Sequence, residues 1–215
     1  MPLRGSQISA NEALKRLIEG NRHFAADARA SEAFLTRTRR AELARTQEPF
    51  ATVLGCSDSR VPAEIVFDQG LGDLFVIRVA GNIVAPSQIG SVEFAAARFG
   101  TPLVVVLGHS LCGAILATLE ELRRPSENQS RNLQSIVDRV RPAIESLLDT
   151  DVARDEEALV RLAVRANIRA SVHQLRHGSQ ILEQMIQEDR LRVVGAEYSL
   201  ETGVVDFFDS APAKR

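Results

Sequence analysis

The chain has 215 residues, with 26 Lys and Arg against 28 Asp and Glu, a formal net charge of −2, 45% apolar residues and 25% charged ones. These values suit one α/β domain and exclude a nucleic-acid binder that works through bulk positive charge. They also exclude a bilayer span, which needs roughly 20 apolar residues, because the longest apolar run, Leu103 to Leu107, is only strand length.

Residues 1–9 hold no apolar export segment, so a cytoplasmic location is expected. Ser9-Ala-Asn-Glu12 has the form of a capping box. Leu14, Leu17 and Ile18 give the helix behind it an apolar face, which loosens or ends at Gly20-Asn21 or just beyond. A second helical stretch, about Ala33 to Thr46, is rich in Arg and Thr and has a thin apolar stripe. Residues 1–48 thus read as an N-terminal helical arm, suited to packing on a partner subunit or to lying solvated on the surface. Residues 49–215 read as the core of the same single domain.

Short apolar runs rich in β formers occur at Phe50 to Leu54, Leu74 to Val79, Leu103 to Leu107 and Leu191 to Gly195. Helical patterns separate them, notably Gln88 to Phe99 and Cys112 to Leu122. Alternating strands and helices predict a mostly parallel sheet covered on both faces, and continuous apolar runs are what doubly buried strands require. Arg123 to Arg131 reads as a surface loop. Apolar residues from Leu133 to Leu147 follow helical spacing, with Pro142 a kink. Val160 to Leu175 mark a long helix running up to Gly178. Glu201-Thr-Gly203 reads as a turn into Val204 to Phe208, a fifth strand paired antiparallel at the sheet edge. The fold class is therefore α/β, with four parallel strands, one antiparallel edge strand and flanking helices.

Both cysteines fall where such folds place ligands, beyond the carboxyl ends of strands. Cys56 follows the first core strand in Gly55-Cys-Ser-Asp-Ser-Arg60, and Cys112 lies in Gly108-His-Ser-Leu-Cys-Gly113 after the third. His109 and Cys112 are three apart, which in a first helical turn puts both side chains on one side. Cys56, His109 and Cys112 make a Cys₂His set that suits Zn²⁺ and leaves a fourth place for water. A metal so held lowers the pKa of bound water from about 15.7 towards 7. Asp58 and Arg60 share the extended direction of Cys56. Arg60 can hold Asp58 in a bidentate pair and keep it off the metal, while Asp58 orients the nucleophilic water. A Cys56–Cys112 redox pair is the main rival reading.

Cys56-Ser-Asp-Ser-Arg60 with His109-Ser-Leu-Cys112 resembles the zinc signature of β-class carbonic anhydrases. The likeness continues through Val61 to Glu64, Asp68 to Asp73, Arg78 to Asn82, Gly90 to Phe94 and the segment Leu14 to Phe24, or about Ser9 to Phe208. The resemblance implies one zinc per subunit on Cys56, His109 and Cys112, with Asp58 and Arg60 as the dyad beside the metal water. It implies reversible hydration of carbon dioxide to bicarbonate by attack of zinc-bound hydroxide. It also places Gln47, Phe75, Phe94 and Gly113 in the substrate pocket, Phe94 standing where many members carry Tyr. The implied partners are a small-molecule substrate and further copies of the chain, as a homodimer or homotetramer, with neither nucleic acid nor membrane. A subset of the family closes its zinc with the aspartate under bicarbonate control that involves a Trp. Val53 occupies that place and the chain has no Trp, so an open zinc is expected.

Hydrolysis of COS or CS₂ at the same zinc is an alternative activity, and a non-catalytic zinc or bicarbonate-sensing protein is another class. His173 and His177, at i and i+4, have metal-binding spacing but read as a solvated helix face, and His23 as a surface residue.

Overall fold

Residues 8–28, 37–125 and 130–210 are described by the computed structural model of this chain. Parts of the expected second helix (33–36) and of the Arg123–Arg131 loop (126–129) lie outside the described residues. The elements are α1 (Ala10–Ala25), α2 (Arg37–Leu43), β1 (Ala51–Gly55), α3 (Ala63–Val66), β2 (Leu74–Arg78), α4 (Pro86–Phe99), β3 (Leu103–His109), α5 (Gly113–Arg123), α6 (Arg131–Ile144), α7 (Glu156–His177), α8 (Gln180–Gln187), β4 (Arg192–Tyr198) and β5 (Val205–Ser210). One five-stranded sheet runs in the order β2-β1-β3-β4-β5, all parallel except the β4–β5 edge pair.

The apolar runs become strands because they can be buried on both faces. Along β3, Val104 and Val106 point into a core made with α4 to α8, while Leu103, Val105 and Leu107 point into a second core under α1 and α3. Every residue of β1 and β3 is buried. The order puts these two strands side by side in the middle of the sheet, so their carboxyl ends share one edge.

Several local expectations change. Ser9 caps α1 by accepting from Glu12 N at 3.2 Å, but Gly20 does not end that helix, which runs five residues further to Ala25. Gly20 is there for close approach: a Cβ on it would stand 1.9 Å from the Phe67 carbonyl oxygen. Only a glycine lets α1 sit directly on the end of α3. The next residue, buried Asn21, donates to Val66 O and Gly203 O and accepts from Val205 N, tying α1 to α3 and to the start of β5. Thus α1 belongs to the core of its own chain. The described side chains of α2 are largely exposed. Pro142 lies inside α6, two residues before its last, Ile144, and Leu147 falls in a following 3₁₀ turn outside the expected helix. The short α3 and α8 were not expected; α8 starts where Ser179, just after Gly178, accepts from Leu182 N. No helix among the described residues is long and apolar enough to cross a membrane.

Candidate metal centre

Parallel pairing of β1 with β3 aligns Gly55 with Leu107, so the next residue, Cys56, stands level with the last turn of chain before His109. His109 is the final residue of β3, two residues beyond the predicted end, and Cys112 is the N-cap of α5. The three-residue spacing of His109 and Cys112 therefore works across a strand-to-helix turn and not within a helical turn. Leu111 makes that turn at φ 53°, a left-handed conformation uncommon for a leucine. Ser110 anchors it, donating its N–H to Tyr198 O at 2.9 Å and accepting from Leu200 N at 3.0 Å.

The result is a compact cluster. The ligand atoms of Cys56, His109 and Cys112 lie within 4.8 Å of one another, and all three residues are buried. The two sulfurs are 3.9 Å apart, far beyond the roughly 2.05 Å of a disulfide, and both cysteines are free. Two thiolates at about 2.3 Å from a tetrahedral ion stand about 3.8 Å apart, so the sulfurs sit at the separation zinc demands. His109 Nδ1 lies 2.9 Å from Ser110 O, which makes Nδ1 the protonated nitrogen and leaves the lone pair on Nε2. That Nε2 is buried with no hydrogen-bond partner among the described residues. An orphaned imidazole lone pair facing two sulfurs fits a bound cation, since a buried polar atom otherwise finds a partner.

Electrostatics favour the ligand form. The hydrogen bond shared with Cys112 draws the Cys56 thiol down to about 4 against the opposing effect of burial, with help from His109 and the N–H groups of Asp58 and Gly81. The same bond and burial push Cys112 up. The shared bond thereby favours the thiolate at Cys56, the form that binds metal.

Asp58 and Arg60 pair bidentately, Arg60 Nε to Oδ1 at 2.9 Å and the outer guanidinium nitrogen to Oδ2 at 2.8 Å, while Arg60 N also donates to Oδ1 at 3.0 Å. This fork holds the Asp58 carboxyl well below the usual carboxylate range. Asp58 Oδ2 comes to 3.8 Å from His109 Nε2, so the carboxylate borders the cluster while Arg60 holds both of its oxygens. Arg78, which the sequence reading left without a role, donates to the carbonyls of Cys56 and Asp58 and braces their loop. Its place was available from topology: β2 pairs beside β1, and Arg78 is the register partner of Gly55.

The other expected pocket residues divide. Gly113 follows Cys112 at the start of α5 and is open, with nothing within 4 Å of where a Cβ would be. Phe75 pairs with Thr52, near the start of β1, three residues or roughly 10 Å short of the strand's carboxyl end. It packs with Phe94 and Phe99 at ring separations of 6.2 and 6.0 Å, and Phe94 is 53% exposed. Gln47 precedes the amino end of β1 and lines an open cavity of about 730 Å³ with Arg40, Leu43, Leu71, Arg98 and Phe99. Phe75 also packs against the apolar core that includes Cys56 and Cys112. His173 and His177 face each other with rings 4.7 Å apart, and His177 Nδ1 is 3.6 Å from Glu183. Both histidines are exposed, and among the described residues no compact three-ligand group forms there.

Residues 51–205 match the family model described as carbonic anhydrase. A carbonic anhydrase of Mycolicibacterium smegmatis is 40% identical over 168 residues, which cover 78% of this chain and 79% of that protein. Carbonic anhydrase 2 of Mycobacterium tuberculosis strain H37Rv is 38% identical over 191 residues, 89% of each. Among solved structures, the β-carbonic anhydrase CcaA matches with a TM-score of 0.72 at 27% identity, over 91% of this chain and 98% of that one. The β-carbonic anhydrase CafA of Aspergillus fumigatus matches at 0.71 and 27% identity, over 94% and 92%.

Proposed function

Because the chain belongs to the β-class carbonic anhydrases, we propose that it is a zinc enzyme that interconverts carbon dioxide and bicarbonate. The observation that carries this reading is the buried, unpartnered His109 Nε2 converging with the sulfurs of Cys56 and Cys112. Two soft sulfurs and one imidazole are a donor set for zinc, and the three together leave one tetrahedral place open. When bound, zinc supplies the charge that makes a water molecule nucleophilic near neutral pH.

The residues of the chain do the rest. Asp58, ionised throughout the working range because of Arg60, keeps lone pairs free to accept a hydrogen bond from the attacking water and so orients it. Arg60 keeps that carboxylate from swinging into the open coordination place. Gly113 leaves room beside Cys112 for a linear substrate. Gln47 offers an amide donor for the oxygen that becomes negative as bicarbonate forms, and Phe75 and Phe94 offer an apolar wall for a molecule with no net dipole. Gln47 and Phe75 sit toward the amino end of the sheet, and with Phe94 they serve the centre of a second copy across the contact of a homodimer or homotetramer. The exposed α2 and the segment after it pack in that contact as the N-terminal arm. Two free thiols as ligands suit a reducing compartment, which supports a cytoplasmic location.

Stopped-flow hydration of carbon dioxide on metal-quantified protein tests this, with COS and CS₂ run alongside. Expected is one zinc per chain and kcat/KM above about 10⁶ M⁻¹s⁻¹ for carbon dioxide, rising with pH through neutrality. Turnover of COS or CS₂ without carbon dioxide hydration, or no turnover at full metal content, would contradict it.

A further inference from the structure

Behind the cluster, a buried polar bracket joins α7 to the loop that touches Cys56. Gly81 and Asn82, in the 3₁₀ turn after β2, both lie in the left-handed region, at φ 71° and 43°. An asparagine held there needs support from its surroundings. Two side chains one turn apart on α7 give it: Asn167 Nδ2 donates to the Gly81 carbonyl at 2.7 Å, and Ser171 Oγ donates to the Asn82 carbonyl at 2.9 Å. Both side chains belong to residues only 2% exposed, so removing either donor strands a buried backbone carbonyl. From the same turn, Gly81 N–H donates to Cys56 Sγ at 3.4 Å. Between the two donors on α7, Ile168 lies so close to Gly108 that a Cβ there would stand 2.5 Å from Ile168 Cδ1. Gly108 is the residue before His109. One face of α7 therefore braces both metal-bearing loops, neither of which it contributes to.

We propose that Asn167 and Ser171 are positioning residues of the metal centre. By clamping the Gly81–Asn82 turn to α7 they aim the Gly81 N–H at the Cys56 sulfur and keep that sulfur in register with His109 and Cys112. The inference rests on reading the cluster as a zinc site. A hydrogen bond to a ligand sulfur fixes the direction of its lone pairs and tempers its electron donation to the metal, and loss of such outer support typically costs 10- to 100-fold in metal affinity. Asn167 and Ser171 act through the turn and touch neither ligand nor substrate.

The test compares zinc release to a chelator, and the sulfur-to-cobalt charge-transfer band of the cobalt-substituted protein, in wild type, Asn167→Leu, Ser171→Ala and Leu175→Ala. Leu175 is a fully buried packing residue two turns from Asn167 on the same helix. Asn167→Leu is expected to release zinc about 10- to 100-fold faster with a shifted cobalt band, and Ser171→Ala to move both in the same direction by less. Leu175→Ala is expected to lower Tm while leaving release and band at wild type. Wild-type release and band in both polar variants would overturn the proposal, as would equal changes in Leu175→Ala. Should Asn167→Leu fail to fold, Ser171→Ala, which removes a single hydroxyl, decides. Wild-type protein that takes up no stoichiometric metal overturns the zinc reading itself and this proposal with it, a failure plainly distinct from unchanged variants of a metal-loaded wild type.

Discussion

His109→Ala is expected to lose the metal and the activity together. His109 supplies the one nitrogen of the donor set, and its Nε2 has no hydrogen-bond partner among the described residues. Its removal leaves only the two sulfurs, 3.9 Å apart, as donors. A two-sulfur remnant binds zinc too weakly to retain it through purification, and the chemistry that depends on the cation goes with it. A metal contributes several kcal/mol of transition-state stabilisation, so the loss is about 10³-fold or more in kcat/KM. Cys56→Ser and Cys112→Ser follow the same course. Zinc content and carbon dioxide hydration, measured on the same sample with circular dichroism to confirm the fold, decide the point. A folded His109→Ala protein with full zinc and full rate would show that the ligand assignment is wrong.

Arg60→Lys is expected to keep the zinc and lose most of the rate. The substitution preserves the charge but not the fork, and it is the fork that occupies both oxygens of Asp58. A lysine ammonium holds one oxygen as a point charge and leaves the carboxylate free to rotate. Asp58 then either misorients the water or occupies its place on the metal, and the loss of a positioned proton acceptor amounts to about 10²-fold. The Arg60 side chain is 56% exposed, so the pair contributes little to folding and Tm should hardly move. The expected signature is a fall in kcat/KM at unchanged metal content and unchanged Tm. A variant with the wild-type rate would remove Arg60 from the mechanism, and one that unfolds would recast the pair as structural.

Much of the architecture was legible because burial on both faces leaves a direct mark: Leu103 to Leu107 is apolar at every position since β3 has no solvent face. The edge pair was legible from the turn at Gly203. What escaped depends on contacts between distant segments. Gly20 looks like a helix breaker in one dimension and proves to be the point where α1 meets the Phe67 carbonyl. The histidine and second cysteine were paired by helical spacing, yet a strand end and a left-handed Leu111 bring them together. Arg78 and Asn167 carry no local signature at all, because their hydrogen bonds reach across 20 and more residues to backbone groups. Gln47 and Phe75 were named only through resemblance; Gln47 precedes β1, and the register puts Phe75 beside Thr52, three residues before Gly55.

Zinc-edge X-ray absorption on the native protein near pH 8 addresses the heart of the matter. Expected is one zinc per chain with two sulfur neighbours at about 2.3 Å and two light atoms at about 2.0–2.1 Å, the second light atom exchanging for added sulfide or another small anion. Absence of stoichiometric metal, or a third sulfur or second imidazole filling the fourth place irreversibly, would contradict a centre with a coordination site open to solvent.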